Sequence, residues 1–411
     1  MSRRVLVIGG GLSGIGAALA AARAGAEVTQ LIAGQGMHHL FSGCIDVLAY
    51  PPEAAEPVDC PLEAVAELIK QNPEHPYAKV GLDGLRLALA DFVADVSGQG
   101  LDYRGDGARQ RQVLTVIGAV RHSALVPATM DVAPARIDAV CNINRFVNFS
   151  ATLLSREISA RTGKAIAALD FDDSAFRRDS LGIARLFDDA KFAAAFGSFL
   201  GKHAPGKIVA VPALLGRSGV SSTVPDIESA FGGRLIETPG QPPSLPGLRL
   251  FGALRRLTLD AGVRVVQGAR AVWPLVEKSR LVGVAVQVGQ TYREERADAL
   301  VLATGHLVSG GVVGERSGLR EVLFDLPIAG ESGPPFFSRN FLMTGGHPAL
   351  GTGVAVDDRL RPVEAGATKY DNLFACGDIL AGFDPYSERS GGGVALATGG
   401  KAGKMAAGGV A

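Results

Sequence analysis

Strand, helix and strand follow one another in the hydrophobic pattern of the first 36 residues. Residues 5–8 form a continuous apolar run, as expected of a strand buried on both faces of a parallel sheet. Residues 12–24 are rich in alanine and leucine and predict a helix that ends at Gly25. Residues 28–32 predict the second strand. The chain is therefore expected to open with a βαβ unit.

The remaining pattern predicts an α/β protein. Apolar positions spaced by 3.6 residues predict helices at 62–71, 82–97, 146–161 and 248–261, and a short helix at 226–231. Strand patterns cover 112–120, 208–214 and 299–303, and a small antiparallel meander is predicted from 263–267, 270–276, 280–288 and 291–296. Four prolines in 238–250 indicate a fixed, extended crossover. A last strand at 373–375 precedes an alanine- and glycine-rich helix that begins after Ser390.

Composition narrows the class of protein. The 411 residues are 47% apolar and 20% charged, which suits one large domain with an insertion, or two domains. Lysine plus arginine equals aspartate plus glutamate at 41 each, so nothing indicates nucleic-acid binding. The four cysteines are scattered without a C-x-x-C pair, and no apolar run is long enough to span a bilayer. We therefore expect no metal site, and a reduced, cytoplasmic compartment.

A glycine pattern connects the first strand to the first helix. It reads G-x-G-x-x-G, in which the first glycine permits a tight turn, the second lets backbone approach a pyrophosphate, and the third lets helix and strand pack closely. The N–H groups and the positive dipole end of the helix would face a phosphate. We expect a phosphate cradle made of Gly9, Gly10, Gly11, Leu12, Ser13 and Gly14.

Two alternatives to this cradle are a glycine-rich turn without a ligand and a secretory signal peptide. The lengths of strand and helix disfavour the first, and glycines within the would-be apolar core disfavour the second. Ile32 stands where a dinucleotide site usually carries the acidic residue that binds the adenosine ribose. The adenosine half of a dinucleotide therefore has weaker support than its phosphate.

Three motifs in sequence order resemble flavoproteins of the fumarate reductase and glutathione reductase type. They are the opening glycine pattern, A-T-G at Ala303, Thr304 and Gly305, and L-F-A-C-G-D, which ends at Gly377 and Asp378. The resemblance implies that Asp378 binds the ribityl or phosphate region of a flavin, although an isolated Asp here would be an ordinary turn residue. It also implies that the last helix points its N-terminus at the flavin and stabilises the reduced anion. That N-terminus consists of Gly391, Gly392, Gly393 and Val394.

Further motifs resemble the B-subunit family of anaerobic glycerol-3-phosphate dehydrogenase. They are H-x-x-S-G-x-x-D-x-L from His39, G-x-x-R with L-x-P-x-T-M within 118–130, P-P-S-x-P-G-x-R at 242–249, and G-x-D-P with G-G-G-V within 382–394. The likeness covers both ends of the chain with islands between them, and it is weak from about residue 135 to 207. Within the first of these motifs, His39, Ser42 and Gly43 are expected at the flavin.

This second resemblance implies a cofactor, a reaction and partners. The cofactor would be FMN, with FAD as the alternative. Ile32 is compatible with FMN, because FMN has no adenosine ribose for an acidic residue at this position to bind. The reaction would be oxidation of sn-glycerol 3-phosphate to dihydroxyacetone phosphate. The partners would be an FAD-containing A subunit and an iron–sulfur C subunit that passes electrons to quinone. The chain would then be cytoplasmic, and peripheral on the inner face of the cell membrane through those partners.

Three residues are candidates for a catalytic role. The resemblance places His39 beside the flavin, while loop polarity is the alternative for the His38–His39 pair. His347, in T-G-G-H-P, could donate or accept a proton near the substrate. Arg249, whose position the preceding prolines fix, could bind phosphate in a bidentate manner. Arg121, Arg217 and Arg389 are further phosphate candidates, and a surface ion pair is the alternative for each.

We therefore predict an α/β fold with a Rossmann-like flavin-binding domain built from both chain ends and an inserted α/β cap. The segments are 1–60 and 246–411 for the flavin domain and 61–245 for the insertion. The predicted function is that of the B subunit of the quinone-linked glycerol-3-phosphate dehydrogenase. Two alternatives stay open: a free-standing flavin oxidoreductase of the fumarate reductase or ketosteroid dehydrogenase type, and a flavin-binding relay or scaffold protein without its own substrate.

Overall fold

The computed structural model describes residues 2–34, 36–52, 54–173, 179–217, 220–316, 318–330, 335–340 and 346–409. Within these ranges the helices are α1 (Leu12–Arg23), α2 (Pro61–Gln71), α3 (Pro76–Val80), α4 (Leu82–Gly98), α5 (Ala151–Thr162), α6 (Ser180–Leu186), α7 (Ala190–His203), α8 (Val220–Phe231), α9 (Leu245–Asp260) and α10 (Gly391–Ala406). The first eleven strands are β1 (Arg4–Ile8), β2 (Glu27–Ile32), β3 (Tyr103–Arg104), β4 (Arg111–Leu114), β5 (Val120–Ser123), β6 (Val126–Pro127), β7 (Ala139–Ile143), β8 (Ala167–Phe171), β9 (Ile208–Pro212), β10 (Arg234–Thr238) and β11 (Arg264–Gln267). The others are β12 (Ala269–Glu277), β13 (Arg280–Val288), β14 (Thr291–Arg296), β15 (Ala299–Leu302), β16 (Val312–Glu315), β17 (Gly318–Glu321), β18 (Ile328–Ala329), β19 (Gly353–Val354), β20 (Val363–Glu364), β21 (Ala367–Thr368) and β22 (Leu373–Ala375).

Five parallel strands form the sheet that carries the glycine motifs. Their order is β11-β2-β1-β15-β22, so strands from the start, the middle and the end of the chain lie side by side. Ile8 pairs with Leu302, and Leu302 pairs with Ala375. The carboxyl ends of β1, β15 and β22 therefore stop at one level. The sheet confirms the expected α/β fold.

Helices α1 and α10 pack against each other and against strands of this sheet. Glycines stand where the two helices meet. A Cβ atom at Gly403 would lie 2.1 Å from the carbonyl oxygen of Ala17, and one at Gly399 would lie 2.5 Å from that of Ser13. Because glycine has no side chain, the backbones of the two helices come into direct contact at these points. The alanine-rich composition of both helices follows from this packing.

A second parallel sheet, in the order β10-β9-β7-β8, is formed within the middle of the chain. Its hydrophobic core contains residues from Leu114 to Leu245 and is separate from the core of the first sheet. Helices α2 and α4 contribute Leu62 and Leu85 to the first core instead. The division at 1–60, 61–245 and 246–411 stays a prediction, and this packing favours an insertion that begins after α4.

The structure corrects two predicted strands. The segment 263–267 is not part of the meander, because β11 lies parallel to β2 at the edge of the first sheet. The meander consists of β12, β13 and β14. The segment 112–120 is not one strand but belongs to a hairpin of β4 and β5, in which Gly118 turns with φ +83°. Strands β7, β8 and β10 were not predicted.

Three helices begin at other residues than predicted. The short helix predicted at 226–231 begins at Val220, and hydroxyl side chains cap the other two helices. The helix predicted at 146–161 begins after Ser150, whose Oγ accepts the N–H of Leu153 at 3.2 Å. The helix predicted at 248–261 begins earlier, after Ser244, whose Oγ accepts the N–H of Gly247 at 3.2 Å. The first turn of α9 accommodates a proline, so the predicted crossover is shorter. Of the helices in the described ranges, none combines the length and the hydrophobicity needed to cross a bilayer.

Candidate functional site

The three predicted motifs meet at the carboxyl edge of the first sheet. Gly9 follows β1, Ala303 follows β15, and Gly377 follows β22 after one residue. Backbone hydrogen bonds join them, since the N–H of Ala303 donates to Ile8 at 2.9 Å and that of Cys376 donates to Leu302 at 3.0 Å. In open parallel sheets, ligands bind outside this edge. The structure thus brings together residues that are far apart in sequence.

The glycines of the first turn have different surroundings. A Cβ atom at Gly9 would lie 2.1 Å from the carbonyl oxygen of Ala303, and one at Gly14 would lie 2.3 Å from that of Gly9. A Cβ atom at Gly11 would meet nothing within 4 Å. Gly9 and Gly14 therefore serve close packing, whereas Gly11, the N-cap of α1, borders open space. This is the geometry that a phosphate at a helix N-terminus requires.

The remaining residues of the predicted cradle lie around the start of α1. Gly10 accepts a hydrogen bond from the ring of His38 and packs on the side chain of Ile32. Leu12 is half-buried at the start of α1. The hydroxyl of Ser13 is buried, and a Cβ atom at Gly377 would lie 2.3 Å from it. The side chain of Ser13 therefore fixes α1 against the third motif.

Asp378 lies beside the N-terminus of α10. Its Oδ1 would be 3.7 Å from a Cβ atom at Gly391. Burial raises the pKa of Asp378 to about 6. Gly392 and Gly393 pack against the backbone of Asp46 and Val47, and the N–H of Gly393 donates to Asp46 at 2.8 Å. Val394, the last predicted residue here, is completely buried and belongs to the core.

The loop between β2 and α2 presents two histidines to different surroundings. Nε2 of His38 lies 2.8 Å from the carbonyl oxygen of Gly10, and its ring stacks on Phe251 at 4.0 Å. Burial lowers the pKa of His38, so its ring is neutral at pH 7. Nδ1 of His39 is buried and has no hydrogen-bond partner among the described residues. His38 thus supports the cradle, and His39 keeps a polar atom available to a ligand.

Ser42 and Gly43 hold the next part of this loop. The Oγ of Ser42 accepts the N–H of Cys44 at 3.4 Å. The carbonyl oxygen of Gly43 accepts the hydroxyl of Tyr103 at 2.6 Å, and its Cα packs on Pro246. The loop is therefore fastened to α9.

Arg249 lies in a buried ion pair. Its Nη1 and Nη2 donate to the two carboxylate oxygens of Glu237 at 2.7 and 3.0 Å, and its Nε donates to Gly216 at 2.8 Å. Glu237 also accepts from Thr129 and from the N–H of Leu215. Three of the guanidinium donors are therefore engaged within the fold, and the pair connects α9 to the second sheet. The role predicted for Arg249 at a substrate phosphate stays a prediction.

The side chains of the other candidate arginines are more exposed to solvent than that of Arg249. Arg121, on β5, pairs with Asp46 and leaves its side chain about one-third exposed. The guanidinium of Arg389 lies 5.2 Å above the ring of Tyr50. The N–H of Arg217 donates to Asp188, and the residue is exposed. Arg389 directly precedes Ser390, the N-cap of α10, and Arg121 is linked to the start of the same helix through Asp46, which contacts Gly392 and Gly393.

His347 and His306 lie on neighbouring loops. Nδ1 of His347 accepts the N–H of Ser338 at 3.1 Å, whereas Thr344 and Gly345 of its motif fall outside the described residues. His306 directly follows the A-T-G motif and is buried, with Nε2 3.3 Å from the hydroxyl of Thr352. Burial lowers the pKa of His306. In the sequence, His306 is distinguished only by its place after the A-T-G motif, where a residue could merely cap the end of a strand, and its position in the structure reveals a neutral imidazole near the site.

Buried polar atoms without partners show where a ligand fits. Four side chains of this region contain such an atom among the described residues, namely His39, Asp46, Arg121 and Thr304. Leaving a buried polar group unpaired costs roughly 1–3 kcal/mol, so a ligand that satisfies these atoms is favoured. Together with the open space at Gly11, they suit a ligand that carries a phosphate, as a flavin nucleotide does. In the described ranges no cluster of side chains suits a metal ion.

Known proteins are similar to this chain over almost its whole length. The family described as an FAD binding domain matches residues 4–394. The B subunit of anaerobic glycerol-3-phosphate dehydrogenase from Vibrio cholerae serotype O1 is 30% identical, over 96% of this chain and 94% of the relative. The protein of the same name from Pectobacterium atrosepticum is 30% identical over 95% of each chain, and that from Aliivibrio fischeri is 27% identical over 97% and 94%.

Proposed function

Because this chain belongs to the FAD binding domain family and to the B-subunit family of anaerobic glycerol-3-phosphate dehydrogenase, we propose that it is the B subunit of a quinone-linked glycerol-3-phosphate dehydrogenase. It takes part in the oxidation of sn-glycerol 3-phosphate to dihydroxyacetone phosphate. The observation that carries this proposal is the register of Ile8, Leu302 and Ala375, which aligns the three flavin motifs at one edge.

The cofactor we propose is FAD. The matching family is described as FAD-binding, and FMN finds no support, so the sequence-based preference for FMN is replaced. The N-terminus of α1 at Gly11 would hold the pyrophosphate, and Asp378 would lie at the ribityl chain. The N-terminus of α10 and His39 would contact the flavin ring. When bound, the flavin supplies the hydride acceptor of the reaction.

Substrate recognition requires an anion site and a group that takes the hydroxyl proton. We place the anion site at Arg121 in preference to Arg249, because Arg121 is partly open and keeps Nε without an acceptor among the described residues. His306 and His347 are the candidates for the proton, since His306 follows β15 at the carboxyl edge and His347 lies on a neighbouring loop. A neutral imidazole can accept a proton at pH 7, and burial keeps His306 neutral.

We further propose that the chain works in a complex with an FAD-containing A subunit and an iron–sulfur C subunit. The relatives are named as one component of a dehydrogenase, which implies an assembly of several chains. Association with the inner face of the membrane would come through those partners. Electrons from this chain would pass through them towards quinone.

A relay protein without its own substrate is the second candidate. It is favoured by the engagement of Arg249 with Glu237, which removes one of the expected phosphate ligands from the site. Anaerobic titration of the purified, flavin-loaded chain with sn-glycerol 3-phosphate separates the two. Bleaching of the flavin supports a substrate site on this chain, whereas bleaching only in the assembled complex supports the relay.

The cofactor is tested by releasing it from the purified chain and measuring its mass. FAD at about one per chain supports the proposal. FMN, or a colourless chain after expression with its partners, contradicts it. Dye reduction that is low for the isolated chain and restored by coexpression supports its place in a complex, and equal activity of the isolated chain would favour a free-standing oxidoreductase.

A further inference from the structure

Behind the first turn of α10 lies a buried chain of hydrogen bonds that the proposed reaction does not use. His75 is completely buried, and its Nδ1 accepts the backbone N–H of Tyr77 at 3.0 Å. Its Nε2 lies 3.1 Å from Oε2 of Glu388. The same carboxylate oxygen accepts the hydroxyl of Ser390 at 2.8 Å. The chain thus ends at the residue that precedes α10.

These contacts fix the protonation of His75. A ring nitrogen that accepts an N–H carries no proton, so the imidazole is neutral and its single proton is on Nε2. That proton is donated to Glu388. The contact between His75 and Glu388 is therefore a hydrogen bond to a neutral ring, and it brings no positive charge to the carboxylate.

The hydrogen-bond partners of the Glu388 carboxylate are all uncharged. Its Oε1 accepts the backbone N–H of Asp384 at 3.2 Å, and its Oε2 accepts from His75 and Ser390. All three partners are neutral donors, which is the pattern of an ionised carboxylate. Its backbone is fixed as well, because its carbonyl oxygen accepts the N–H groups of Ala49 and Tyr50, each at 3.0 Å.

The carboxylate lies at the positive end of α10. Ser390 is the N-cap of this helix, and its hydroxyl bonds Glu388 and does not cap the first turn. A helix N-terminus is equivalent to roughly half a positive charge, and its effect fades within one turn. A full negative charge bonded to the N-cap therefore offsets the field that α10 presents to a ligand.

We propose that Glu388 tunes the flavin by weakening the stabilisation that α10 gives to the reduced, anionic form. The inference rests on the proposed function, since it requires a flavin at the start of α10. Glu388 acts as a positioning residue, through its charge and through the hydrogen bond that it accepts from the hydroxyl of Ser390. The consequence is a flavin with a more negative midpoint potential than the bare helix would give.

The test measures the midpoint potential of the flavin in the coexpressed complex. Glu388→Gln keeps the size of the side chain and removes the charge. A unit charge at about 10 Å, in an effective dielectric of about 20, changes the preference for the reduced over the oxidised flavin by roughly tenfold. The expected result is a midpoint potential that is more positive by about 30 mV, because a tenfold change in equilibrium constant corresponds to about 30 mV for a two-electron couple. An unshifted potential in a variant that still binds flavin overturns the proposal.

A matched control is Asp298→Asn. Asp298 accepts the N–H of Arg4 at 2.8 Å, at the amino ends of β1 and β15, which is the opposite edge of the same sheet. Its loss should leave the potential unchanged. A shift as large as that of Glu388→Gln would mean that distant charge, and not the one at α10, sets the potential.

A second measurement needs no variant. Nitrogen-15 NMR of the histidines in the wild-type chain reports the tautomer and charge of each ring. The expected signal for His75 is that of a neutral ring protonated at Nε2, and a cationic ring would cancel the charge of Glu388 and overturn the proposal. A wild-type complex that contains no flavin would instead refute the proposed function, so the two failures are distinguishable.

Discussion

Replacement of Gly11 by valine should remove the flavin and leave the fold intact. A Cβ atom at Gly11 meets nothing within 4 Å, and the backbone there has φ −75° and ψ 178°, which any residue adopts. Valine is a poorer N-cap than glycine, so we expect a loss of stability of about 1 kcal/mol at most. The β-branched side chain would, however, fill the space where a phosphate approaches α1.

The magnitude of the effect on binding follows from the hydrogen bonds that are lost. Two charge-assisted hydrogen bonds from the first turn of α1 contribute about 1.5–3 kcal/mol each. Their loss weakens binding by about 10²- to 10⁴-fold. Flavin absorbance per chain measures occupancy, and urea denaturation of the flavin-free proteins measures stability without the contribution of bound ligand. Gly11→Val protein with one flavin per chain would refute the cradle.

Two further variants separate binding from folding. Gly14→Val places a side chain 2.3 Å from the carbonyl oxygen of Gly9, so it should destabilise even the flavin-free protein. Gly400→Ala meets nothing within 4 Å on α10 and should keep the flavin, with stability raised by about 1 kcal/mol. If Gly11→Val loses as much stability as Gly14→Val, the loss of flavin would merely report unfolding.

Four other outcomes are expected. Gly403→Val should lower the free energy of unfolding by about 1–3 kcal/mol or more in urea, because its Cβ would lie 2.1 Å from a backbone oxygen of α1. Arg249→Met should cost about 3–5 kcal/mol by leaving Glu237 charged and buried, and Arg249→Met combined with Glu237→Leu should recover much of this loss in the same assay. Burial raises the pKa of Asp378 from an ordinary 3.8 to about 6, so the contribution of Asp378 to the stability of the flavin-free protein should rise as the pH falls from 6 to 4, and denaturation curves of the wild type and of Asp378→Asn should differ in their pH dependence over that range. His39→Ala should alter the flavin absorbance maximum or its midpoint potential, and an unchanged spectrum and potential would assign His39 to loop polarity.

The sequence predicts best those parts of the fold that local patterns decide. The opening βαβ unit depends on contiguous apolar runs and on Gly9 to Gly14, and it lies as predicted. The position of β11 at the edge of the first sheet depends on its pairing with β2. The residues of β11 contain no pattern that identifies β2 as the neighbouring strand. Helices α5 and α9 begin where Ser150 and Ser244 cap them and not where the apolar periodicity begins. A hydroxyl cap therefore decides the first residue of a helix more strongly than periodicity does.

Side-chain partners across the fold were beyond sequence reasoning. Glu237 lies on a strand that the pattern did not predict, so nothing indicated that Arg249 would pair with it. His75 and Glu388 are 313 residues apart, and no spacing rule connects them. The roles of His38 and His39 depend on which of the two rings faces Gly10. The two residues are adjacent in a loop, where no hydrophobic periodicity indicates the direction of a side chain.

The adjacency of β1, β15 and β22 also has a consequence for biosynthesis. Cys376 lies 363 residues after Ser13, its neighbour in the site, and at 5–20 residues per second a ribosome takes roughly 20–70 s to cover that interval. During that time the face of α1 that α10 will cover has no native partner. The flavin site therefore cannot be complete before the last helix has been synthesised, and until then the apolar face of α1 that packs on α10 stays uncovered by its native partner.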